Sequence, residues 1–210
     1  MKIKSSSIVW LLVLISIGIL FAQDMEDFVK EGESKFTSGA YSESIELFNK
    51  AIEENPADAK AYRRRGRSKR FSGNHTAALN DYVSSLNLNG QEANTYIGRA
   101  QTLVRLQNYE AALQDYQTAL RIDSDSPHKK TILYNTAWIY QELKKFKEAL
   151  EHYDQVLDLD PNHQKSLVNR AFIKYQQNQI QSACEDWILA KDLGNVKADK
   201  NAQRACQCCL

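Results

Sequence analysis

A repeat of 34 residues runs through this chain of 210 residues and decides what it can fold into. Small residues recur at this interval, with one slip of three residues, at Gly32, Gly66, Ala100, Ala137 and Ala171. Aromatic residues recur in step with them, at Phe48, Tyr82, Tyr116, Tyr153 and Trp187. A period of this length predicts a solenoid of stacked helical hairpins, in which each hairpin buries its apolar face against its neighbours. Such arrays present a concave face that binds other molecules more often than it catalyses reactions.

Five copies of the repeat can be written in register. They are 25–58, 59–92, 93–126, 130–163 and 164–197, with Pro127, His128 and Lys129 inserted between the third and the fourth. Within each copy, apolar and small residues three and four positions apart predict two helices, called helix A and helix B below. Residues that tolerate a left-handed backbone separate the two helices, as in Ser38-Gly39 and Asn178-Gln179. We therefore expect an all-α fold in which 23–197 forms the array.

This pattern resembles the tetratricopeptide repeat. The signature of that family places an aromatic residue, a Leu-Gly pair and a second aromatic residue in helix A, then Ala-x3-aromatic in helix B and a final Pro. The fourth copy matches it at Leu133, Ala137, Tyr140, Ala149, Tyr153 and Pro161. The resemblance implies a right-handed superhelical solenoid of five helical hairpins. Core packing explains the recurring aromatic residues, so no cofactor is expected.

Arginine and aspartate occur together in three of the five repeats, sixteen residues apart. The combinations are Arg65 with Asp81, Arg99 with Asp115, and Arg170 with Asp186. Repeats one and four have neither residue at these positions. Because antiparallel helices would bring the two positions face to face, we expect an ion pair between helix A and helix B in each of the three repeats. Its role is structural.

In proteins of this family the inner wall is lined by helix A, chiefly by its second, fifth, ninth and twelfth positions. In repeat two these positions are basic: Lys60, Arg63, Arg67 and Arg70. In repeats four and five they supply mostly aromatic side chains: Tyr134, Trp138, Gln141, Phe172 and Tyr175. The resemblance therefore implies a groove that holds a peptide, with an acidic portion against repeat two and apolar side chains against repeats four and five.

A plainer interpretation of the same residues also stays open. Glu26 and Glu33 of repeat one could neutralise the basic side chains, and the aromatic residues could partly cover the C-terminal end of the array. Some members of the family hold a C-terminal carboxylate through lysine and asparagine at set positions of the groove. In repeats one to three these positions are occupied by Val29, Glu33, Arg64, Asn94 and Gly98, so that clamp is not expected.

The first 22 residues differ from the rest of the chain. Lys2 and Lys4 precede an apolar stretch from Ile8 to Phe21, which ends at Ala22. This arrangement is typical of a secretory signal peptide, 1–22, and predicts a secreted or periplasmic protein. A membrane anchor that is not cleaved is the alternative, but the stretch is shorter than the roughly 18 to 20 residues that span a bilayer. Cleavage would remove two lysines and no acid, and would change the formal charge from +1 to −1.

All four cysteines lie near the C-terminal end. We expect residues 196–210 to form a capping helix, from about Val196 to Cys206, and a cysteine-rich tail. If this helix folds back on the last repeat, Cys184 and Cys206 lie at about the same level along the two helix axes. We therefore expect a disulfide between them. The same segment resembles the closing element of short secreted bacterial proteins of this family. Three states stay open for Cys208 and Cys209. They could be free thiols, form a disulfide bridge to a second chain in a dimer, or form a metal site with Cys206.

Catalysis is not indicated by the sequence. The four histidines are scattered, with His75 in repeat two, His128 in the insertion and His152 and His163 in repeat four, and none has a repeated carboxylate or nucleophile beside it. We expect no catalytic residue and no metal. The prediction is a non-enzymatic module that binds a protein or a peptide, such as a scaffold or assembly factor in the cell envelope. The alternative is a nucleic-acid-binding protein that uses the basic residues of repeat two, although the near-neutral charge disfavours it.

Overall fold

A computed structural model describes residues 25–206, in which every regular element is an α-helix. The first helix, α1, covers residues 25–37 of this part. The helices that follow are α2 (Tyr41–Glu54), α3 (Ala59–Phe71), α4 (His75–Leu88), α5 (Ala93–Arg105), α6 (Tyr109–Ile122), α7 (Lys129–Glu142), α8 (Phe146–Leu159), α9 (Gln164–Gln176), α10 (Ile180–Asp192) and α11 (Val196–Ala205). The signal peptide predicted at 1–22 and the two tail cysteines, Cys208 and Cys209, lie outside the described residues.

The helices fall into two compact units. The first ends at Ile122 and contains α1 to α6, and the second begins at Asp123 and contains α7 to α11. In the first unit, α3 pairs with α4 and α5 with α6, while α2 packs on α3 and α4 on α5. In the second unit, α7 pairs with α8 and α9 with α10, and α11 packs on α10. Within each unit the A helices also meet directly, α3 with α5 and α7 with α9.

Each turn from helix A to helix B contains a residue in the left-handed conformation. The φ angles are 80° at Gly39, 87° at Gly73, 58° at Gln107, 58° at Lys144 and 62° at Asn178. This geometry was expected from the turn sequences, although Gln107 and Lys144 are unusual residues for it. The backbone reverses within two or three residues at each of these turns, so the two helices of a hairpin pack directly against each other.

The recurring aromatic residues form the core between the helices. Phe48, Tyr82, Tyr116 and Tyr153 are each at most 1% exposed, and Trp187 is 3% exposed. Small residues on helix A make room for these rings. A Cβ added to Gly32 would lie 3.0 Å from the ring of Phe48, and one added to Gly98 would lie 2.7 Å from the ring of Tyr82. Because Gly98 belongs to α5 and Tyr82 to α4, the second contact joins neighbouring repeats.

Each of the three arginine and aspartate combinations forms a bidentate ion pair. The Nε and Nη2 atoms of Arg99 each donate to a carboxylate oxygen of Asp115 over 2.7 Å. Arg65 binds Asp81 and Arg170 binds Asp186 through the same two nitrogens. The hydrogen bonds to Asp115 raise the pKa of Arg99 above its ordinary value.

Two of these pairs extend to a third helix. Arg65 also donates to Asn49 of α2 over 2.7 Å, and Arg170 also donates to Asp154 of α8 over 2.6 Å. Lysines one turn further along helix A, Lys69 and Lys174, bind the same aspartates as these two arginines. Each arginine of this kind therefore ties helix A both to its own helix B and to helix B of the repeat before it.

The last helix covers the end of the second compact unit. Ala198 and Ala202 of α11, and Cys206 directly after it, pack in one cluster with Cys184 and Trp187 of α10. The Cα atoms of Cys184 and Cys206 lie 5.6 Å apart, and their Sγ atoms lie 2.12 Å apart. The apolar surface of the last hairpin is thereby buried, which is the task of a capping element in a repeat array.

Replacing Gly98 with alanine tests the contact between neighbouring repeats. The new methyl group would clash with the buried ring of Tyr82, and this cost exceeds the gain in helix propensity. We expect Gly98→Ala to lower the free energy of unfolding by about 1 to 2 kcal/mol in urea titrations. Gly90→Ala is the matched control, because a Cβ there meets no atom closer than 3.6 Å. Equal midpoints for the two variants would contradict the proposed packing.

A double-mutant cycle on Arg99 and Asp115 tests the ion pair without interference from third partners. Asp115 is 5% exposed, so Asp115→Ala leaves a guanidinium group without its buried acceptor. We expect a loss of about 2 to 3 kcal/mol for each single variant and a coupling energy of about 1 to 2 kcal/mol. Removing the exposed Lys35–Glu43 pair with Glu43→Ala should cost much less. Strictly additive losses in the Arg99 and Asp115 cycle would mean that the pair contributes nothing.

Candidate functional site

The basic residues of repeat two lie along α3, in the first compact unit, and are already partly neutralised. The carboxylate of Glu33 on α1 binds both Arg64, over 2.9 Å, and Arg67. Repeat one therefore supplies a counter-charge to these arginines, as the plainer interpretation of the sequence held for Glu33. Lys60 is exposed at the start of the helix, where its backbone N–H donates to the capping residue Asp58 over 2.8 Å.

Two of the arginines also stack on aromatic rings. The guanidinium carbon of Arg67 lies 3.9 Å from the ring centre of Phe36, and that of Arg70 lies 4.4 Å from the ring centre of Phe71. Phe36, Phe71 and Tyr41 form a cluster whose ring centres are 5.2 to 5.6 Å apart. This cluster was not recognised in the sequence, because its members lie in two helices A and one helix B. Stacking holds the two arginines against the protein surface.

The surroundings of Arg63 disfavour its charged form. Burial lowers the pKa of Arg63, and the neighbouring charges of Arg64 and Arg67 lower it further, against the opposing effect of Glu92. The buried Nε atoms of Arg63, Arg67 and Arg70 have no hydrogen-bond acceptor among the described residues. This face of α3 consequently retains some positive charge, but less than the sequence indicated.

In the second compact unit, the helix-A residues divide into an internal group and an outward group. Tyr153 donates from its hydroxyl group to Gln141 over 3.0 Å, and Asn169 donates to the same hydroxyl over 3.0 Å. Tyr134 packs against the rings of Tyr153 and His163, with ring centres 6.1 and 5.2 Å apart. Tyr134 and Gln141, both predicted to line the groove, therefore also hold α7, α8 and α9 together.

The outward group consists of aromatic residues. Phe172 is 44% exposed and Tyr175 is 43% exposed, and both lie on α9. Trp138 of α7 is partly buried and occupies the position in its repeat that Phe172 occupies in the next. Tyr175 rests in part on the core, because its ring centre lies 5.4 Å from that of Trp187. We call Trp138, Phe172 and Tyr175 the aromatic wall.

A small cavity lies beside the aromatic wall, within the second compact unit. It has a volume of about 220 Å³, and its lining consists of Tyr134, Lys165, Val168, Asn169, Asn195 and Lys197. Three structural elements supply these residues: α7, α9, and the segment where α11 begins. Sequence reasoning missed this cavity, because Lys165, Asn195 and Lys197 approach each other only after α11 has folded back.

Between residues 25 and 206, no three His, Cys, Asp or Glu side chains are grouped so that they could hold a metal ion. None of the helices in this range combines the length and the apolar character needed to cross a bilayer.

Two family models, both described as tetratricopeptide repeat, match the chain at residues 29–86 and 91–162. The chain belongs to the tetratricopeptide-repeat family. Proteins of this family are typically protein-interaction modules and not enzymes, and the exposed side chains on the A helices suit that role. No curated protein matches the chain.

Solved tetratricopeptide-repeat structures share this fold. The structure of pilF from Pseudomonas aeruginosa superimposes with a TM-score of 0.75 at 19% identity, covering 85% of this chain and 81% of that one. YrrB, described as a protein with an unusual peptide-binding site, has a TM-score of 0.72 at 16% identity, covering 88% and 97%. The first repeat domain of Spaghetti (RPAP3), bound to the HSP90 peptide SRMEEVD, has a TM-score of 0.54 at 21% identity, covering 58% and 94%. At these identities the likeness shows the fold alone.

Proposed function

We propose that this protein binds a peptide segment of a partner protein on the aromatic wall of its second compact unit. The observation that carries the proposal is the exposure of Phe172, at 44%, and of Tyr175, at 43%, on helix A of the last repeat. Rings of this size gain free energy when a partner covers them, and such residues dominate the energy of many protein interfaces. The peptide-binding site named for YrrB and the bound peptide named for Spaghetti support a peptide as the ligand class.

The scaffold beneath the wall is well suited to binding without rearrangement. Tyr153 is fully buried and joins Gln141 of α7 to Asn169 of α9 through its hydroxyl group. Ala137 and Ala171, which precede Trp138 and Phe172, are also fully buried. The two rings therefore project from a backbone that is held from below, which reduces the entropy lost on binding.

The basic stripe of α3 is not part of the proposed site. Glu33 already binds Arg64 and Arg67, and Phe36 and Phe71 support Arg67 and Arg70 by stacking. The same contacts weaken the case for nucleic-acid binding, because Glu33 neutralises part of the positive charge of α3 in a chain whose formal net charge is only +1. A peptide segment is the better-supported ligand.

We propose further that the protein is exported and acts as a scaffold or assembly factor in the cell envelope. Two features support this location: the signal-like sequence of residues 1–22, and a buried pair of cysteines at bonding distance. A disulfide between Cys184 and Cys206 would persist in an oxidising compartment and would fasten α11 to α10. The binding surface and the location are separate proposals and are tested separately.

Panning of a random peptide library on the immobilised protein tests the aromatic wall. We expect the wild-type protein to enrich peptides that carry a large apolar residue. Trp138→Ala and Phe172→Ala should each weaken the binding of a selected peptide about tenfold or more, because truncating an interface anchor typically costs over 1 kcal/mol of binding free energy.

Leu189→Ala is the matched control, since Leu189 is 42% exposed in the same compact unit but lies on helix B. The affinity of the Leu189→Ala variant for the selected peptide should stay within about twofold of the wild-type value. The proposal is wrong if no peptide is enriched, or if the two wall variants bind as tightly as the control.

Peptide mapping of the unreduced protein tests the proposed disulfide and its compartment. We expect a cross-linked peptide that joins Cys184 and Cys206 in protein purified from the envelope fraction. A chain expressed without residues 2–22 should keep both thiols reduced. In the oxidised protein, replacing both cysteines with alanine should lower the stability of the cap by roughly 3 kcal/mol. Alkylation of both cysteines in the envelope-purified protein would contradict the proposal.

A further inference from the structure

The cavity beside the aromatic wall carries positive charge that no described group neutralises. Lys165 and Lys197 are both exposed, and no carboxylate of residues 25–206 lies within ion-pair distance of either. The acidic residues nearest to them along the chain already have partners. Asp160 binds Lys130 over 2.7 Å, and Asp199 binds Lys191 over 3.4 Å.

The rest of the lining offers hydrogen-bond donors and is held in place. The side chain of Asn195 accepts from the backbone N–H of Ala198 over 3.0 Å and donates to Gln164 over 3.3 Å. Asn169 donates to the hydroxyl oxygen of Tyr134 over 3.4 Å, which leaves the proton of that hydroxyl group to be donated elsewhere. A guest in the cavity therefore meets two ammonium groups and one hydroxyl donor.

We propose that this cavity binds the carboxylate of an aspartate or glutamate side chain in the segment held on the aromatic wall. The inference rests on the proposed function and names the side chain that would accompany the apolar one. A carboxylate complements two lysines and a hydroxyl donor through charge-assisted hydrogen bonds. The volume of about 220 Å³ is smaller than the pockets that hold whole small-molecule ligands, and it suits a single side chain.

The positive potential at the cavity also acts on its neighbour, His163. Burial lowers the pKa of His163, and the charges of Lys130 and Lys165 lower it further, against the carboxylate of Asp160. The same positive charges, which disfavour protonation of His163, would attract an incoming carboxylate.

The spacing along α9 defines the sequence that the site would prefer. Lys165 and Phe172 are seven residues apart on one helix, which corresponds to about 10 Å along its axis. An extended peptide covers about 3.3 Å per residue, so this distance corresponds to about three residues. We therefore expect an acidic residue about three positions from a large apolar residue in the bound segment.

The capping helix also helps to form the cavity. Asn195 and Lys197 belong to the segment where α11 begins, so the cavity does not exist until the cap has docked. The binding residues also differ from the positions in repeats one to three at which some relatives hold a C-terminal carboxylate. The site is a property of the last repeat and its cap.

A peptide library with amidated C termini tests the inference, with the intact protein as the bait. We expect enrichment of Asp or Glu about three positions from the apolar residue. Lys165→Glu and Lys197→Glu should each weaken the binding of a selected acidic peptide at least tenfold. Lys165→Gln should weaken it less. Lys147→Glu on α8 is the control, because Lys147 is an exposed lysine of the same unit outside the cavity. The affinity of the Lys147→Glu variant for the selected peptide should stay within twofold of the wild-type value.

A charge swap provides the strongest support. A peptide in which the selected Glu is replaced by Lys should bind the Lys165→Glu variant better than the wild-type protein. Enrichment of apolar residues without an acidic preference would overturn this inference and leave the proposed function intact. An acidic preference that appears only in a library with free C termini would overturn it in favour of a chain end. Failure to enrich any peptide would overturn both proposals.

Discussion

The packing of one aromatic ring per repeat against small residues on helix A is the constraint on which the structure depends. Tyr82 illustrates it, because its ring sits so close to Gly66 and Gly98 that a Cβ would lie 3.3 Å and 2.7 Å away. Only a residue without a side chain at Gly98 allows α5 to approach α4 at this distance. The ring of Tyr82 therefore fixes both the hairpin to which it belongs and the position of the next helix A, α5.

Ion pairs reinforce this packing at the polar edge of the core. A buried guanidinium or carboxylate is costly unless its partner is well placed, so the pairs specify one arrangement of the helices. The Arg170 guanidinium shows the balance: burial lowers its pKa, but the hydrogen bonds to Asp186 and Asp154 raise it above the ordinary value. Rings and ion pairs hold the helices together, while Phe172 and Tyr175 of α9 remain exposed.

The sequence predicted the features that depend on local spacing. The hairpins and the juxtaposition of Arg99 with Asp115 follow from fixed intervals within one repeat. Asn49 and Asp154 could also have been found, because each lies sixteen residues before the arginine that it binds, whereas Val83 occupies that place before Arg99. The Cys184 and Cys206 juxtaposition likewise follows from their similar distances, ten and twelve residues, on either side of Gly194.

Features that depend on contacts between repeats were not predictable in the same way. The link from Glu33 to Arg64 and Arg67 was only one of two open interpretations, because the charges of neighbouring helices can meet or face solvent. The role of Gln141 as an acceptor for Tyr153 was missed, since its position indicated a groove residue. The cavity of Lys165 and Lys197 requires the fold of the cap, which no periodic pattern encodes.

The two tryptophans of the described residues allow the most direct test of the central claim, that a peptide segment binds on the aromatic wall. Trp138 belongs to the wall, whereas Trp187 is 3% exposed and lies in the core beneath the cap. Indole N–H signals can be followed by ¹⁵N nuclear magnetic resonance during titration with a selected peptide, with Trp138→Phe assigning the peak. The account predicts a saturable shift of the Trp138 signal that is larger than any shift of the Trp187 signal, which Tyr175 separates from the peptide. Saturable binding that leaves the Trp138 signal in place would contradict it.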